Sequence, residues 1–281
     1  MKAAAWKSIS WKGSVAEMGR LLRFEIRKLF RQTSFYVCLA VLAALVFIGI
    51  FSTWSMIRLT QSELGVELDL GILGMFGEAN RFSGRGYLLT ALGGNSFSLI
   101  LGIFISLYVC LDYVGGTAKN IIGRGISRGH FIASQQLMLA GASLLFSLLA
   151  WGLSFALGTV YFGAGKGWGP KDLLQLAVQF AVVLAYAAFF SFFAFLIKKS
   201  GGSIAFTIFA PMLISLGLAL ADIFTDKLKF DLSEFWLDGC MSLCTGLEAG
   251  AKELARCGIT AGVYVIVFAG LTHLIVGRQD V

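Results

Sequence analysis

The sequence predicts an all-α membrane protein with six transmembrane helices, and three observations lead to this fold class. Apolar residues make up 57% of the 281-residue chain, charged residues make up only 14%, and the mean hydropathy is +0.81. A soluble domain of this length could not bury so much apolar surface in one core. Six apolar segments are also long enough to cross a bilayer as helices, which takes about 17–25 residues each. These segments are 35–57, 88–111, 132–162, 173–197, 203–221 and 257–276.

The distribution of charge predicts that both termini and the loop 112–136 lie in the cytoplasm. With six spans, that side carries 14 lysines and arginines against four acidic residues, a net charge of +10, whereas the other side carries −3. Lys and Arg concentrate in the cytoplasmic loops of membrane proteins, which gives this orientation. The overall charge of +7 therefore needs no nucleic acid to explain it, and we expect no nucleic-acid partner.

Segment 15–33, before the first span, has the pattern of an amphipathic interfacial helix. Its apolar side chains fall within a sector of about 80° on a helical wheel, opposite a cluster of arginines. The apolar set is Met18, Leu22, Ile26 and Leu29, and the basic set is Arg20, Arg23, Arg27 and Arg31. Such a helix can lie at the membrane surface with its arginines toward lipid headgroups or a cytosolic partner. The alternative is a flank that only fixes topology. Glu25, at the edge of the apolar sector, is accounted for only by pairing with a neighbouring arginine.

Segment 222–256 is the longest connection on the outer side. It is too polar to span the membrane and too apolar to stand free in water. Five of its apolar residues fall within about 60° of each other on a helical wheel, but three glycines interrupt the segment. The apolar residues are Leu232, Trp236, Leu243, Leu247 and Leu254, and the glycines are Gly239, Gly246 and Gly250. We expect a broken amphipathic or re-entrant pair of helices between spans five and six.

Two glutamines in the fourth span, Gln175 and Gln179, share one helical face because they are four residues apart. They could contact a transported molecule, but hydrogen bonding between helices is the commoner role of such residues. Of the five cysteines, Cys240 and Cys244 are poorly placed for a disulfide within one helix. Cβ atoms four residues apart lie about 5–6 Å from each other, whereas a disulfide needs about 3.5–4.5 Å.

The chain carries no pattern typical of an enzyme, a nucleotide site or a metal site. It has no G-x-x-x-x-G-K-[ST] phosphate loop, no H-E-x-x-H and no paired-cysteine spacing. A G-x-S-x match around Ser96, with His273 in the last span, suggests an intramembrane protease, but the two residues differ in depth by roughly 12 Å. His273 is the one ionisable residue in the spans, so ion-coupled transport is also disfavoured. A structural or assembly protein without transport is the remaining alternative.

Loop 112–136 carries the spacing D-x-x-x-G-T-x-x-N-x-x-x-R-x-x-S-R. The residues are Asp112, Gly116, Thr117, Asn120, Arg124, Ser127 and Arg128, with Lys119 as an added cation. This spacing resembles the permeases of bacterial ABC-2-type transporters, which also have a basic or amphipathic helix before six spans and a re-entrant outer segment between the last two. Members of that family often have Glu at the position of Asp112 and Lys near Gln135 or Gln136.

The resemblance implies that residues 1–281 form a single permease domain of an ATP-driven exporter in the bacterial cytoplasmic membrane. Two permease chains, identical or related, would pair with two copies of a cytosolic ATPase, which would bind the ATP and Mg; this chain would bind no cofactor. A short helix in loop 112–136 would dock on the ATPase. The cargo would be an apolar or amphipathic peptide, a drug or a lipid.

Overall fold

Ten α-helices form the part of the chain that the computed structural model describes, namely residues 11–64, 82–123, 126–165, 168–224, 232–247 and 249–276. In chain order they are α1 (Trp11–Arg31), α2 (Thr33–Leu64), α3 (Gly84–Thr90), α4 (Asn95–Val114), α5 (Thr117–Gly123), α6 (Arg128–Phe162), α7 (Pro170–Ile197), α8 (Ser200–Phe224), α9 (Leu237–Thr245) and α10 (Ala251–Leu271). A 3₁₀ turn, Leu232–Phe235, precedes α9, and a π-helical turn, Thr272–Val276, extends α10.

Six of these helices are long and apolar enough to cross a membrane, which confirms the predicted number of spans. They are Thr33–Leu59, Asn95–Val114, Arg128–Phe162, Pro170–Ile197, Ser200–Ile223 and Ala251–Ile275. Because a helix satisfies its own backbone hydrogen bonds, such segments need no partner to enter lipid. The chain is therefore a multi-pass membrane protein.

Helices α4 and α7 form the centre of the bundle. Their most apolar windows are 67% and 61% buried, against 11% for both α8 and α10. Helix α7 packs against α4, α6, α8, α9 and α10. Its phenylalanine-rich stretch interlocks with neighbouring helices: the ring centroid of Phe189 lies 5.5 Å from that of Trp236 and 5.1 Å from that of Phe268. The outer surfaces of α2, α8 and α10 are apolar and face the surroundings of the bundle.

The second span is split rather than continuous, in contrast to the single helix predicted over 88–111. Helix α3 ends at Thr90 and α4 begins at Asn95, with Gly94 at φ 79° between them. A positive φ is a conformation that glycine adopts readily and other residues rarely do, so the chain breaks here. A Cβ on the neighbouring Gly93 would lie 3.2 Å from Thr245 Oγ1, which places this break against α9.

Glycines elsewhere permit close contact between helices. Helix α3 docks on the end of α6, where a Cβ on Gly158 would lie 3.0 Å from the Cα of Gly84. The backbone amide of Gly84 also donates to the carbonyl oxygen of Gly163 at 2.8 Å. Helices this close gain van der Waals contact that larger side chains would prevent.

In the segment between α8 and α10, α9 ends before Gly246 but continues through Gly239, and the buried face only partly matches the predicted one. Helix α9 buries Leu237, Cys240, Met241 and Cys244, whereas Leu243 is only partly buried. Of the predicted apolar set, Trp236 and Leu254 are buried, and they lie on either side of the interruption between the end of α9 at Thr245 and the start of α10 at Ala251. All five cysteines are free thiols, and all five are buried.

Candidate functional site

A buried polar cluster joins α1, α4 and α6 at the start of loop 112–136. Its centre is Asp112, only 2% exposed in the last turn of α4. The ammonium Nζ of Lys28, on α1, lies 2.5 Å from Asp112 Oδ2, and the side-chain amide of Gln135, on α6, donates to the same oxygen. A buried carboxylate is costly unless it is paired and hydrogen-bonded, and Asp112 has both kinds of partner.

Glu25 forms the second half of this cluster. It is fully buried, and Tyr108 on α4 donates its hydroxyl to Glu25 Oε2 at 2.5 Å. Lys28 Nζ lies 3.5 Å from the same carboxylate and 4.0 Å from the centroid of the Tyr108 ring. One ammonium therefore lies between two carboxylates and over an aromatic face, an arrangement that favours a cation. We call Glu25, Lys28, Tyr108, Asp112 and Gln135 the inter-helix polar cluster.

Simple helical spacing places these side chains together. Glu25 and Lys28 are three residues apart on α1, and Tyr108 and Asp112 are four apart on α4, so each pair shares a face. The α1 face that includes Glu25 also buries Leu21 and Leu29. Two oxygens of the cluster, Glu25 Oε1 and the Gln135 carbonyl Oε1, have no hydrogen-bond partner within the described part of the chain.

The buried face of α1 differs from the apolar sector predicted for segment 15–33. Glu25 lies at the centre of the buried face, whereas Ile26 is 45% exposed. Packing on α6 and the pairing of Lys28 with Asp112 select this face, and apolarity alone does not identify it. The four arginines, Arg20, Arg23, Arg27 and Arg31, are exposed. Phe24 and Phe30 are exposed beside them, at 45% and 49%.

The predicted docking residues follow Asp112 in a turn and a short helix. Gly116 turns the chain with φ 67°, a conformation suited to glycine. Helix α5 then buries Ala118 and presents Lys119 and Asn120 to the surroundings, while Thr117 is partly buried. The loop therefore has one anchored face and one exposed polar face.

The remaining docking residues lie where the loop enters α6. Ser127 caps α6, because its hydroxyl accepts a hydrogen bond from the backbone amide of His130 at 3.3 Å. Arg128 is the first residue of α6 and is partly buried. Arg124 lies outside the described residues.

Gln175 and Gln179 hold α7 to its neighbours at the other end of the bundle. Gln175 donates to the carbonyl oxygen of Cys244 at 2.7 Å, and Gln179 donates to that of Leu89 at 2.6 Å. Gln179 also accepts from the indole nitrogen of Trp151 at 3.2 Å. Both glutamines thus make the inter-helix hydrogen bonds that were one of the two predicted roles.

A second ion pair, which the sequence did not indicate, lies near these glutamines. The guanidinium of Arg85 donates to both carboxylate oxygens of Asp172, at 3.0 and 2.7 Å. These hydrogen bonds raise the pKa of Arg85. The pair holds α3 against the first turn of α7, because a bidentate arginine–carboxylate contact is both strong and geometrically specific.

The protease alternative requires Ser96 and His273 to meet, and the structure separates them. Ser96 lies in the first turn of α4, whereas His273 contacts the first turn of α6: a Cβ on Gly129 would lie 2.9 Å from His273 Cε1. Within the described ranges, no group of three or more His, Cys, Asp or Glu side chains is arranged to hold a metal ion.

Comparison with known families adds one result. A family model described as a protein of unknown function (DUF2705) matches residues 75–275. The chain belongs to this family. The match includes Tyr108, Asp112 and Gln135 but not Glu25 and Lys28, so the DUF2705 region contains only part of the inter-helix polar cluster. No curated protein matches this DUF2705 member.

Lys28 and Tyr108 are the cluster residues that sequence reasoning missed. The available signals were the Glu25–Lys28 spacing of three and the Tyr108–Asp112 spacing of four, each of which places a polar pair on one helical face. Neither signal reveals that the two faces meet, because Lys28 and Asp112 are 84 positions apart.

Proposed function

We propose that this chain is the transmembrane permease subunit of an ATP-driven ABC exporter in the bacterial cytoplasmic membrane, with both termini in the cytoplasm. It would move an apolar or amphipathic peptide, drug or lipid. A separate ATPase, in two copies, would bind ATP and Mg, and a second permease chain would complete the assembly. The observation that carries this proposal is the inter-helix polar cluster beside α5, since it connects an exposed docking surface to three helices.

The cluster lies close to α5 along the chain. Asp112 lies two residues from the end of α4, and only Gly115 and Gly116 separate α4 from α5. Separating Lys28 from Asp112 would leave a buried charge unpaired, which costs about 3–5 kcal/mol. A displacement of α5 is therefore expected to move α1, α4 and α6 together.

Helix α4 can carry such a displacement into the bundle. It packs on both α7 and α8, and Ser106 and Thr207 join α4 to α8 through hydroxyls 3.0 Å apart. Packed helices move by small shifts and rotations as units, which is how transporters alternate between states. ATP-driven closure of a partner pressing on α5 could thus re-pack the spans around the cargo.

The first experiment measures association with an ATPase. The partner to co-express is any phosphate-loop ATPase that is found in a neighbouring reading frame. Lys119→Glu, Arg124→Glu and Arg128→Glu should each reduce its recovery with the purified permease, because a reversed charge repels the surface that the cation fitted. Lys171→Glu is the matched control, since Lys171 is exposed at the opposite end of the bundle. Unchanged recovery with all three loop variants would exclude docking on loop 112–136.

The second experiment separates transport from a structural role. After reconstitution into vesicles, ATP turnover by the complete assembly should change when amphipathic peptides or drugs are added. If no ATPase is recovered under conditions that keep the permease folded in its membrane, the structural or assembly role is favoured instead.

A further inference from the structure

A partly buried carboxylate lies between α7 and α8, away from the inter-helix polar cluster. Asp238, in the first turn of α9, accepts hydrogen bonds from Ser215 Oγ at 2.7 Å and from the Trp236 indole nitrogen at 3.0 Å. The hydroxyl of Tyr186 donates to its other oxygen, Oδ1. The sequence placed Asp238 in an outer connection, whereas Tyr186 and Ser215 lie well inside two spans.

Position along these spans gives the depth of two residues that donate to this carboxylate. Tyr186 is 11 positions from the end of α7, and Ser215 is 9 positions from the end of α8. At 1.5 Å per residue, the Cα atoms of Tyr186 and Ser215 lie about 13 Å or more from either end of their helices, so Asp238 contacts the interior of two spans. Ionisable side chains at such depth are rare in membrane proteins and usually mark a site that binds or moves something.

The carboxylate of Asp238 keeps one acceptor position. A carboxylate offers about four positions for donors, and three are filled, all by neutral groups. In the described ranges no Lys, Arg or His forms an ion pair with Asp238. Among the described residues, the hydrogen-bond donors to Asp238 are thus neutral groups.

A cavity of about 80 Å³ adjoins this carboxylate. Its lining combines Asp238 with Asn95, Ser98 and Tyr186, and it is closed on another side by Met241. It lies at the break between α3 and α4, where Gly94 also lines it. Broken helices inside a membrane protein are tolerated where they line a cavity, and they commonly mark binding sites.

We propose that this cavity binds the primary ammonium group of a small organic cation, with Asp238 as its counter-ion. An ammonium group has three donors, which match the free position on Asp238 and the side-chain oxygens of Asn95 and Ser98. The apolar side chain of Met241 would contact the ligand's carbon atom next to the ammonium nitrogen. The proposal does not depend on transport or on an ATPase.

The first turn of α4 also borders the cavity, and its partial positive charge opposes cation binding. A helix terminus changes affinity by roughly two- to fivefold. A charge-assisted hydrogen bond changes it by roughly 10- to 100-fold. The carboxylate therefore determines which charge the cavity prefers.

The test measures the binding of ethylammonium to the full chain in detergent. Saturation-transfer NMR at constant ionic strength detects the bound ligand. Wild-type protein should bind ethylammonium saturably and should not bind ethanol, its neutral analogue, in the same way. Asp238→Asn should weaken binding roughly 10- to 100-fold. Glu234→Gln is the control, because it removes one negative charge from the neighbouring turn, where Glu234 is paired with Arg256.

A second variant can still test the proposal if Asp238→Asn does not fold. Ser98→Leu fills the cavity but retains the carboxylate, and it should abolish binding. The proposal is overturned if wild-type protein shows no saturable binding, if ethanol binds equally, or if either variant binds like wild type. Displacement of ethylammonium by an equal concentration of sodium would overturn it too, since the site would then prefer an inorganic cation.

Discussion

Lys28 Nζ lies 2.5 Å from Asp112 Oδ2, so the helix before the first span is ionically joined to the end of the second. Both groups are largely shielded, with side-chain exposures of 12% and 2%. This pair makes α1 an integral part of the bundle. It also places the only described cation of the cluster between the carboxylates of Glu25 and Asp112.

Removal of that cation should strongly destabilise the protein. Lys28→Met leaves two buried carboxylates without an ion-pair partner and should lower the free energy of unfolding by about 3–5 kcal/mol. Unfolding in mixed micelles with increasing SDS would measure the change. Arg27→Met, on the exposed face of α1, is the control and should change stability by about 0.5 kcal/mol or less.

A double-mutant cycle tests whether the pair itself is responsible. Asp112→Asn removes one carboxylate charge, so Lys28→Met should cost less in that background than in wild type. Equal costs in both backgrounds would show that the two side chains do not interact.

The hydroxyl of Tyr108 should contribute separately through Glu25. Tyr108→Phe keeps the packed ring but removes the donor to Glu25, and we expect a loss of about 1–3 kcal/mol in stability. Tyr36→Phe is a suitable comparison, because the Tyr36 hydroxyl donates to the Phe30 carbonyl at the exposed surface. If the two variants are equally stable, the buried Tyr108–Glu25 hydrogen bond has no special role.

Gly102 should not tolerate a side chain. A Cβ at this position would lie 2.2 Å from Thr207 Cγ2 and 3.0 Å from the Phe190 ring, so α4 could no longer pack closely on α7 and α8. Gly102→Ala should cost about 1–3 kcal/mol in stability. Gly141→Ala, on α6, has no heavy atom within 4 Å of the new Cβ and should leave stability unchanged or raise it by about 0.5–1 kcal/mol. Similar effects at the two sites would contradict the close packing.

The side chain of Gln179 should contribute to the stability of the fold rather than to contact with a transported molecule. Gln179→Leu leaves the carbonyl oxygen of Leu89 and the indole of Trp151 without their partner, at about 1–3 kcal/mol for each buried group left unsatisfied. Leu173→Ala, 69% exposed on the same helix, is the control. A Gln179→Leu protein with wild-type stability and altered transport would instead assign this side chain to cargo.

The cysteines should be protected thiols. All five are free and buried, so a maleimide should react slowly with the folded protein and should label five sites after denaturation without reductant. Three labels after denaturation would reveal one disulfide, with Cys240, Cys244 and Cys257 as the candidates.

Prediction from sequence succeeded where a local property was sufficient. Six apolar segments are recognisable because each satisfies its own backbone in lipid, independently of its neighbours. The break at Gly93 and Gly94 was not predicted, because a pair of glycines can indicate close packing between helices as well as a break in a helix. The buried face of α1 was mispredicted for a related reason: Glu25 is polar, and only a partner on α4 makes its burial favourable.

By itself, the sequence determined the number of spans, the predicted orientation from charge, and the polar loop that begins at Asp112. Each depends on composition or on spacing within a single segment. The tertiary structure alone decided that Lys28 meets Asp112 and that Asp238 meets Tyr186 and Ser215. These contacts join side chains that are 84, 52 and 23 positions apart. Helical periodicity specifies the face on which a residue lies, whereas packing between helices decides which faces meet.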